Sequence, residues 1–202
     1  MRKFYILTLL IYLVLTPNLA TALEGGIEYD GIYIDYSALN YGEWSKKANS
    51  YLDLASKSKN EKTRQQYYSR AVGAYQTMTK IYPFDPIVMG TIGHIYGKMH
   101  KPIYAKAYLD RGLNLDLKNP TVNYYYGVFM QDERDFRKAR RYYNVAYANG
   151  MKNNYDLCIR LAVINGKLGE LENSKYYYQH AYSLKPSKDL KNKILQLDEL
   201  KK

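Results

Sequence analysis

Apolar and small side chains recur at helical spacing twice between Pro120 and Met151. Asn123, Tyr126, Gly127 and Met130 fall at i, i+3, i+4 and i+7, and Phe136, Ala139, Tyr143 and Ala146 form a similar stripe. The polar run Asp132-Glu133-Arg134-Asp135 separates the two. Two short amphipathic helices so joined are predicted to fold back on one another, with the small residues Gly127 and Ala139 at the contact. The pattern extends along the chain. Gly93 precedes Gly127 by 34 positions, Pro86 precedes Pro120 by 34, and Ala71, Ala105 and Ala139 are spaced by 34. Downstream, Ala162, Ser174 and Ala181 stand where the central unit has Gly127, Ala139 and Ala146, one residue later than the period requires. Such a period predicts stacked copies of one helix pair, each covering its neighbour's apolar face.

The flanks continue the array with variations. Trp44, Ala48, Tyr51 and Leu52 predict a helix from Trp44 to Lys57, and Tyr68, Ala71, Tyr75 and Met78 a second one. Between them the polar run from Lys57 to Gln66 lengthens this unit by about eleven residues relative to the period, so either both helices are longer or a loop bulges out. At the other end Leu190, Ile194, Leu197 and Leu200 lie at helical spacing among charges, which predicts a helix capping the last repeat.

These residues resemble the tetratricopeptide repeat, a pair of antiparallel helices marked by a large residue, an aliphatic, a small residue and an aromatic on the first helix and by Ala, an aromatic, Ala and Pro on the second. The central unit matches with Tyr126, Gly127, Ala139, Tyr143 and Ala146, the preceding one with Met89, Ile92, Gly93, Tyr96, Ala105 and Leu109. The following one matches with Leu161, Ala162, Gly169, Ala181 and Pro186, and the earliest with Trp44, Ala48, Tyr51, Ala71, Tyr75 and Pro83. The departures are Asn123 at a large position, Gly112 and Ser174 for Ala, and Met151 for Pro. The resemblance implies an all-α, right-handed α-solenoid of about four helix pairs (roughly 41–85, 86–119, 120–153 and 155–186) with a capping helix at 187–202.

The N-terminus has another character. Arg2 and Lys3 precede an apolar run from Phe4 to Leu15, then come Pro17 and Ala20-Thr21-Ala22, the layout of a secretory signal cleaved after Ala22. The run is shorter than the ~18–20 residues that span a bilayer, so an uncleaved anchor is the lesser reading. Export to a periplasm or the extracellular space follows. Residues 23–40, rich in Ile and Tyr and interrupted by Gly25, Gly26 and Gly31, have no helical period and are expected to form a flexible leader; alternatively Ile32, Tyr33, Ile34 and Tyr36 bind back onto the repeats or pair with another chain.

Loss of residues 1–22 leaves 28 basic against 19 acidic residues, a formal charge of +9. In an exported protein this excess points to acidic partners or anionic surfaces rather than nucleic acid. The lone Cys158 permits no internal disulfide and, at a packing position, is expected to be buried and inert. His94, His100 and His180 are not spaced as metal ligands, no phosphate loop or nucleophile motif is present, and the acids of the 132–135 turn suit a turn and a helix start. The chain is therefore read as non-enzymatic, with no cofactor and no metal site.

In the resembled family a second stripe on each first helix lines a concave groove. Carried over, it comprises Ile87, His94 and Lys98, then Tyr124, Val128 and Gln131, then Ile159, Val163 and Lys167. The apolar members suit an amphipathic helix or an extended apolar peptide. The reading is an exported scaffold or assembly adaptor that captures a partner segment. Two alternatives are a basic module whose 25 tyrosines help it bind anionic cell-wall glycan or membrane, and an accessory subunit of an envelope enzyme complex.

Overall fold

A computed structural model describes residues 27–29, 32–34 and 41–200. The predicted signal segment, most of the predicted leader and residues 201–202 lie outside the described residues. The chain folds as two compact units, Met1–Pro83 and Phe84–Lys202. The division falls beside the boundary predicted between the first and second repeats.

In the first unit, two short strands, β1 (Ile27–Tyr29) and β2 (Ile32–Ile34), pair antiparallel with Ile27 opposite Ile34 and Tyr29 opposite Ile32. Both strands fall within the segment expected to be a flexible leader or to pair through its Ile and Tyr residues, and those β-branched and aromatic residues favour strand pairing. Two helices follow, α1 (Tyr41–Lys57) and α2 (Glu61–Ile81). Their 17 and 21 residues compare with 13 and 14 in the next pair, so the extra sequence lengthens both helices and no loop bulges out. Asn60 starts α2 by accepting the Thr63 N–H at 3.0 Å. Ala48, Ala55, Ala71, Ala74, Tyr75 and Met78 form the buried seam, and the Tyr75 hydroxyl donates to Asn49 Oδ1 at 2.7 Å. Half-buried Trp44 carries Lys47 Nζ over its ring at 4.6 Å.

The second unit contains α3 (Pro86–Lys98), α4 (Pro102–Leu115), α5 (Pro120–Asp132), α6 (Phe136–Ala146), α7 (Tyr155–Lys167), α8 (Leu171–Leu184) and α9 (Lys188–Glu199). They form three antiparallel pairs and a last helix packed on α8, the all-α solenoid expected. Asp85, Asn119 and Asn154 cap the first helix of each pair through their side chains, and Pro86 and Pro120 occupy the first turn, where a missing N–H costs nothing. Each first helix ends in the same way. His100, Arg134 and Gly169 adopt φ of 56°, 60° and 79°, and the next N–H reaches back to Tyr96, Met130 or Asn165 O, each at 2.9 Å. This is the left-handed helix stop that glycine enters without strain; His100 and Arg134 enter it with a Cβ.

Close approach within the pairs rests on small residues. A Cβ on Gly93 would lie 2.7 Å from Leu109 Cγ and 2.9 Å from Ala105 O. At Gly127 the closest approach is by the Tyr143 ring rather than by Ala139, so the contact pairs a glycine with an aromatic. In the third pair Ala162 takes this place, and the Ser174 hydroxyl donates to its carbonyl at 2.8 Å. The other buried polar departure, Asn123, donates to Leu117 O and Asn119 O, both at 2.9 Å, and so ties its helix to the preceding turn. The one-residue slip before the last pair is absorbed after α6, where the chain kinks at Asn149 and Gly150, the latter at φ 126°.

Two stability measurements follow. Gly127→Ala should lower unfolding stability by about 1 to 3 kcal/mol, read as a lower urea midpoint, because the Tyr143 ring must move. Arg134→Gly and His100→Gly should each raise stability by up to about 1 kcal/mol as the left-handed strain is relieved; midpoints that fall instead would show that the turn is not strained.

Candidate partner-binding face

Helices α3, α5 and α7 are the first members of their pairs and share one face of the second unit. Their spacing is uneven. Gly90 lets Val122 come within 3.1 Å of where a Cβ would be, so α3 and α5 run close together. The equivalent residue on α5 is Tyr124, whose ring needs room, and α7 lies farther from α5 than α5 does from α3. Polar and aromatic side chains fill the wider gap.

The Tyr124 hydroxyl donates to Asp156 Oδ2, which also accepts from Arg160 Nε at 2.8 Å. Arg160 Nε lies 3.1 Å from the Tyr124 oxygen, and its guanidinium sits over the Tyr124 ring at 5.8 Å. Gln131 Oε1 accepts from Arg160 at 3.4 Å and from the Tyr143 hydroxyl at 2.9 Å. A single guanidinium thus joins α7 to α5, with a link through Gln131 and Tyr143 to α6. Burial, together with the bond to Asp156, pushes Tyr124 up to about 12. Burial opposes ionisation of Asp156, but the hydrogen bonds from Tyr124 and Arg160 outweigh it and hold its carboxyl below the usual range. Arg160 too is opposed by burial and is held charged by Asp156.

His94 on α3 lies flat against Tyr125, centroids 4.4 Å apart and planes 11° apart. Burial, Lys98 and Arg160 lower its pKa to about 4, so it is neutral at pH 7. Of the residues assigned to the groove, Ile87 is 48% exposed, and Lys98 and Lys167 are exposed, the latter with Nζ 4.9 Å from the Phe136 ring. His94, Tyr124 and Gln131 are half-buried and engaged as described, while Val128 is buried at 3% exposure. Ile159 and Val163 stand apart from this set: they pack on the cluster of Cys158, Ala162, Tyr178 and Leu190, where α9 contributes Ile194 and Leu197. The sequence reading missed Arg160 and Tyr125. An Asp-to-Arg spacing of four at Asp156 and Arg160 was the available signal, though it reads equally as a surface pair.

Cys158 is buried, its thiol pushed up by burial, with Sγ 3.7 Å from His180 Nδ1, which hydrogen-bonds the Tyr147 hydroxyl at 2.8 Å. Among the described residues no group of three or more His, Cys, Asp or Glu is placed to hold a metal, and no helix is long and apolar enough to cross a membrane.

A pH dependence follows from His94. In the unfolded chain its imidazole takes a proton near 6.5, whereas in the fold it resists protonation to about 4. The contribution of neutral His94 is thus complete above about 6.5 and is lost as pH falls toward 4, with a total on the order of 3 kcal/mol. Urea midpoints measured at about pH 7.5, 5.5 and 4.5 should decline for the wild type and decline less for His94→Gln; parallel profiles would remove His94 as the cause.

No family model matches the chain. It is 30% identical over 106 residues to the type IV pilus assembly protein PilF of Pseudomonas aeruginosa, an alignment taking in 52% of this chain and 41% of that protein. The chain thus spans about two fifths of the length of the curated relative it matches. The solved structure of Pseudomonas aeruginosa PilF superposes with a TM-score of 0.61 at 13% identity, covering 77% of this chain and 69% of the other. MamA superposes at 0.58 and 20% identity, covering 70% and 82%. The first tetratricopeptide repeat domain of Spaghetti (RPAP3), bound to an HSP90 peptide, superposes at 0.50 and 20% identity, covering 57% and 94%. With its repeated helix pairs, shared helix stops and these structural likenesses, the chain has the tetratricopeptide-repeat fold.

Proposed function

We propose that the chain is an exported, non-enzymatic protein-interaction scaffold that holds a partner segment against the face made by α3, α5 and α7. The observation that carries this reading is the network of Tyr124, Asp156, Arg160, Gln131 and Tyr143, which fixes the face before any partner arrives. A preorganised surface loses little side-chain freedom on binding, so more of the contact energy appears as affinity. The titratable groups of the face also argue against catalysis: His94, lowered to about 4, and Tyr124, raised to about 12, are poorly suited to exchange protons near pH 7.

The free chemistry of the face is an exposed apolar side chain at Ile87, near the start of α3, and the exposed cations Lys98 and Lys167 at the ends of α3 and α7. It fits an amphipathic segment whose polar side is acidic. A relative that is a pilus assembly protein and a structural neighbour bound to a peptide support a binding role. The predicted signal segment supports an envelope location.

Photo-crosslinking tests the proposal. A benzophenone amino acid placed at Ile87 or Lys98 of the full chain, in the producing cells, should give one discrete adduct recovered in the envelope fraction, weakened in an Arg160→Ala background. The same label at Gln179, exposed on α8, should not give that adduct. Equal adducts from Gln179, or none from Ile87 and Lys98, would overturn the assignment of this face; recovery only from cytoplasm would overturn export.

A further inference from the structure

Two open clefts, of about 410 and 360 Å³, lie along α4, the second of them in a furrow between the end of α4 and α6, the second helix of the next pair. The first lies between α4, along Ile103, Ala107 and Asp110, and the end of α5, with Phe129 as its floor and the exposed Glu133 at its edge. The second lies between Leu113 and Leu117 on one side and Tyr142 and Val145 of α6 on the other. On α4 these positions form one stripe, Ile103, Ala107, Asp110 and Leu113, about 15 Å long at 1.5 Å per residue, continued past the helix end by Leu117. Ile103 and Leu117 are 82% and 73% exposed, the highest values of any large apolar side chain among the described residues. The one acid in the stripe is engaged: Asp110 accepts from the Tyr126 hydroxyl and from Lys106, each at 2.7 Å.

The opposite wall is basic. Helix α6 carries Arg137, Lys138, Arg140 and Arg141 and no acid. Arg140 turns away to Glu170 at 2.5 Å, and Lys138 pairs with Asp135 at 2.9 Å. Arg141, which lines the second cleft with Lys138, has no carboxylate within ion-pair distance among the described residues. Tyr142 is held in place by stacking on Tyr126, with centroids 4.3 Å apart. The end of the α4 stripe, Leu113 and Leu117, thus faces a fixed aromatic and an unneutralised cation across the second cleft.

We propose that this furrow is a second docking groove, separate from the α3-α5-α7 face, and that its occupant is an acidic amphipathic helix of a protein partner. Its apolar side meets Leu113, Leu117 and Val145, and its acidic flank meets Lys138 and Arg141. Charge complementarity selects this occupant over a basic or purely apolar one. The recessed Tyr142 selects an inserted helix over a flat lipid surface.

The test uses a fluorescein-labelled sixteen-residue designed peptide, with leucines on one helical stripe and glutamates flanking it, titrated by anisotropy with the full chain. Saturable binding with Kd below about 100 µM is expected, weakened about tenfold or more by Lys138→Glu with Arg141→Glu and about fivefold by Leu117→Asp, and changed less than about twofold by Lys98→Glu on the other face. These substitutions are at exposed positions, and circular dichroism checks that the variants stay folded. Three results would overturn the proposal. A scrambled peptide of equal composition could bind as well, showing charge attraction alone. Lys98→Glu could weaken binding as much as the α6 substitutions, placing the peptide on the first face. Vesicles containing phosphatidylglycerol could bind the chain through Arg141 while the peptide does not, making the furrow a membrane contact. Because the variants separate the two faces, failure here leaves the crosslinking result at Ile87 and Lys98 to stand or fall by itself.

Discussion

The contact that governs the second unit is the one between Gly127 and the ring of Tyr143, with its counterpart of Gly93 against Leu109 and Ala105. A residue without a side chain lets the partner helix come near enough to bury its whole inner face. Everything downstream inherits that distance. Fully buried Leu109, Tyr143, Leu157 and Leu161 fill space whose size is set by how near the backbones come. The helix stops at His100, Arg134 and Gly169 then return the chain at the angle the contact requires.

The same reasoning explains why the array is not uniform. Gly90 and Tyr124 occupy equivalent positions on successive first helices, yet one admits a neighbour and the other holds it off. Where packing is close, α3 and α5 are joined by apolar contact through Val122. Where it is open, α5 and α7 are joined by directional bonds centred on Arg160. Such a junction has a definite geometry only while every member keeps its partner, since a half-satisfied polar network is worse than an apolar one. The exposure of Ile87, Lys98 and Lys167 beside it gives the face its available chemistry.

Much of this architecture could be read from the chain, because the period, the glycines and the capping residues are local signals repeated several times. The pairing of Gly127 with Tyr143 rather than Ala139 was not legible: both lie on the same stripe of α6, and only the tilt of the helix decides which one crosses the glycine. The extra residues of the first repeat could not be divided between helix and loop by periodicity alone, since a polar run extends an exposed helix face as well as it makes a loop. For the candidate site, Tyr124, Gln131 and His94 were proposed from their positions in the repeat, whereas Arg160 was not, because its contacts arise from three helices meeting. Ile159 and Val163 were placed by the same rule as the others. The rule describes a first helix with open space beside it, and in the last pair α9 brings Ile194 and Leu197 into that space.

The position of Trp44 has an optical consequence. It is the chain's one tryptophan and it lies on α1, in the first unit, held under Lys47. The second unit contains tyrosine but no tryptophan. Light absorbed beyond the tyrosine band therefore excites the first unit alone, and its emission originates there. Far-ultraviolet dichroism, by contrast, is weighted toward the seven helices described for the second unit. The two signals together distinguish a chain that unfolds as a whole from one whose units come apart in sequence, without any label being added.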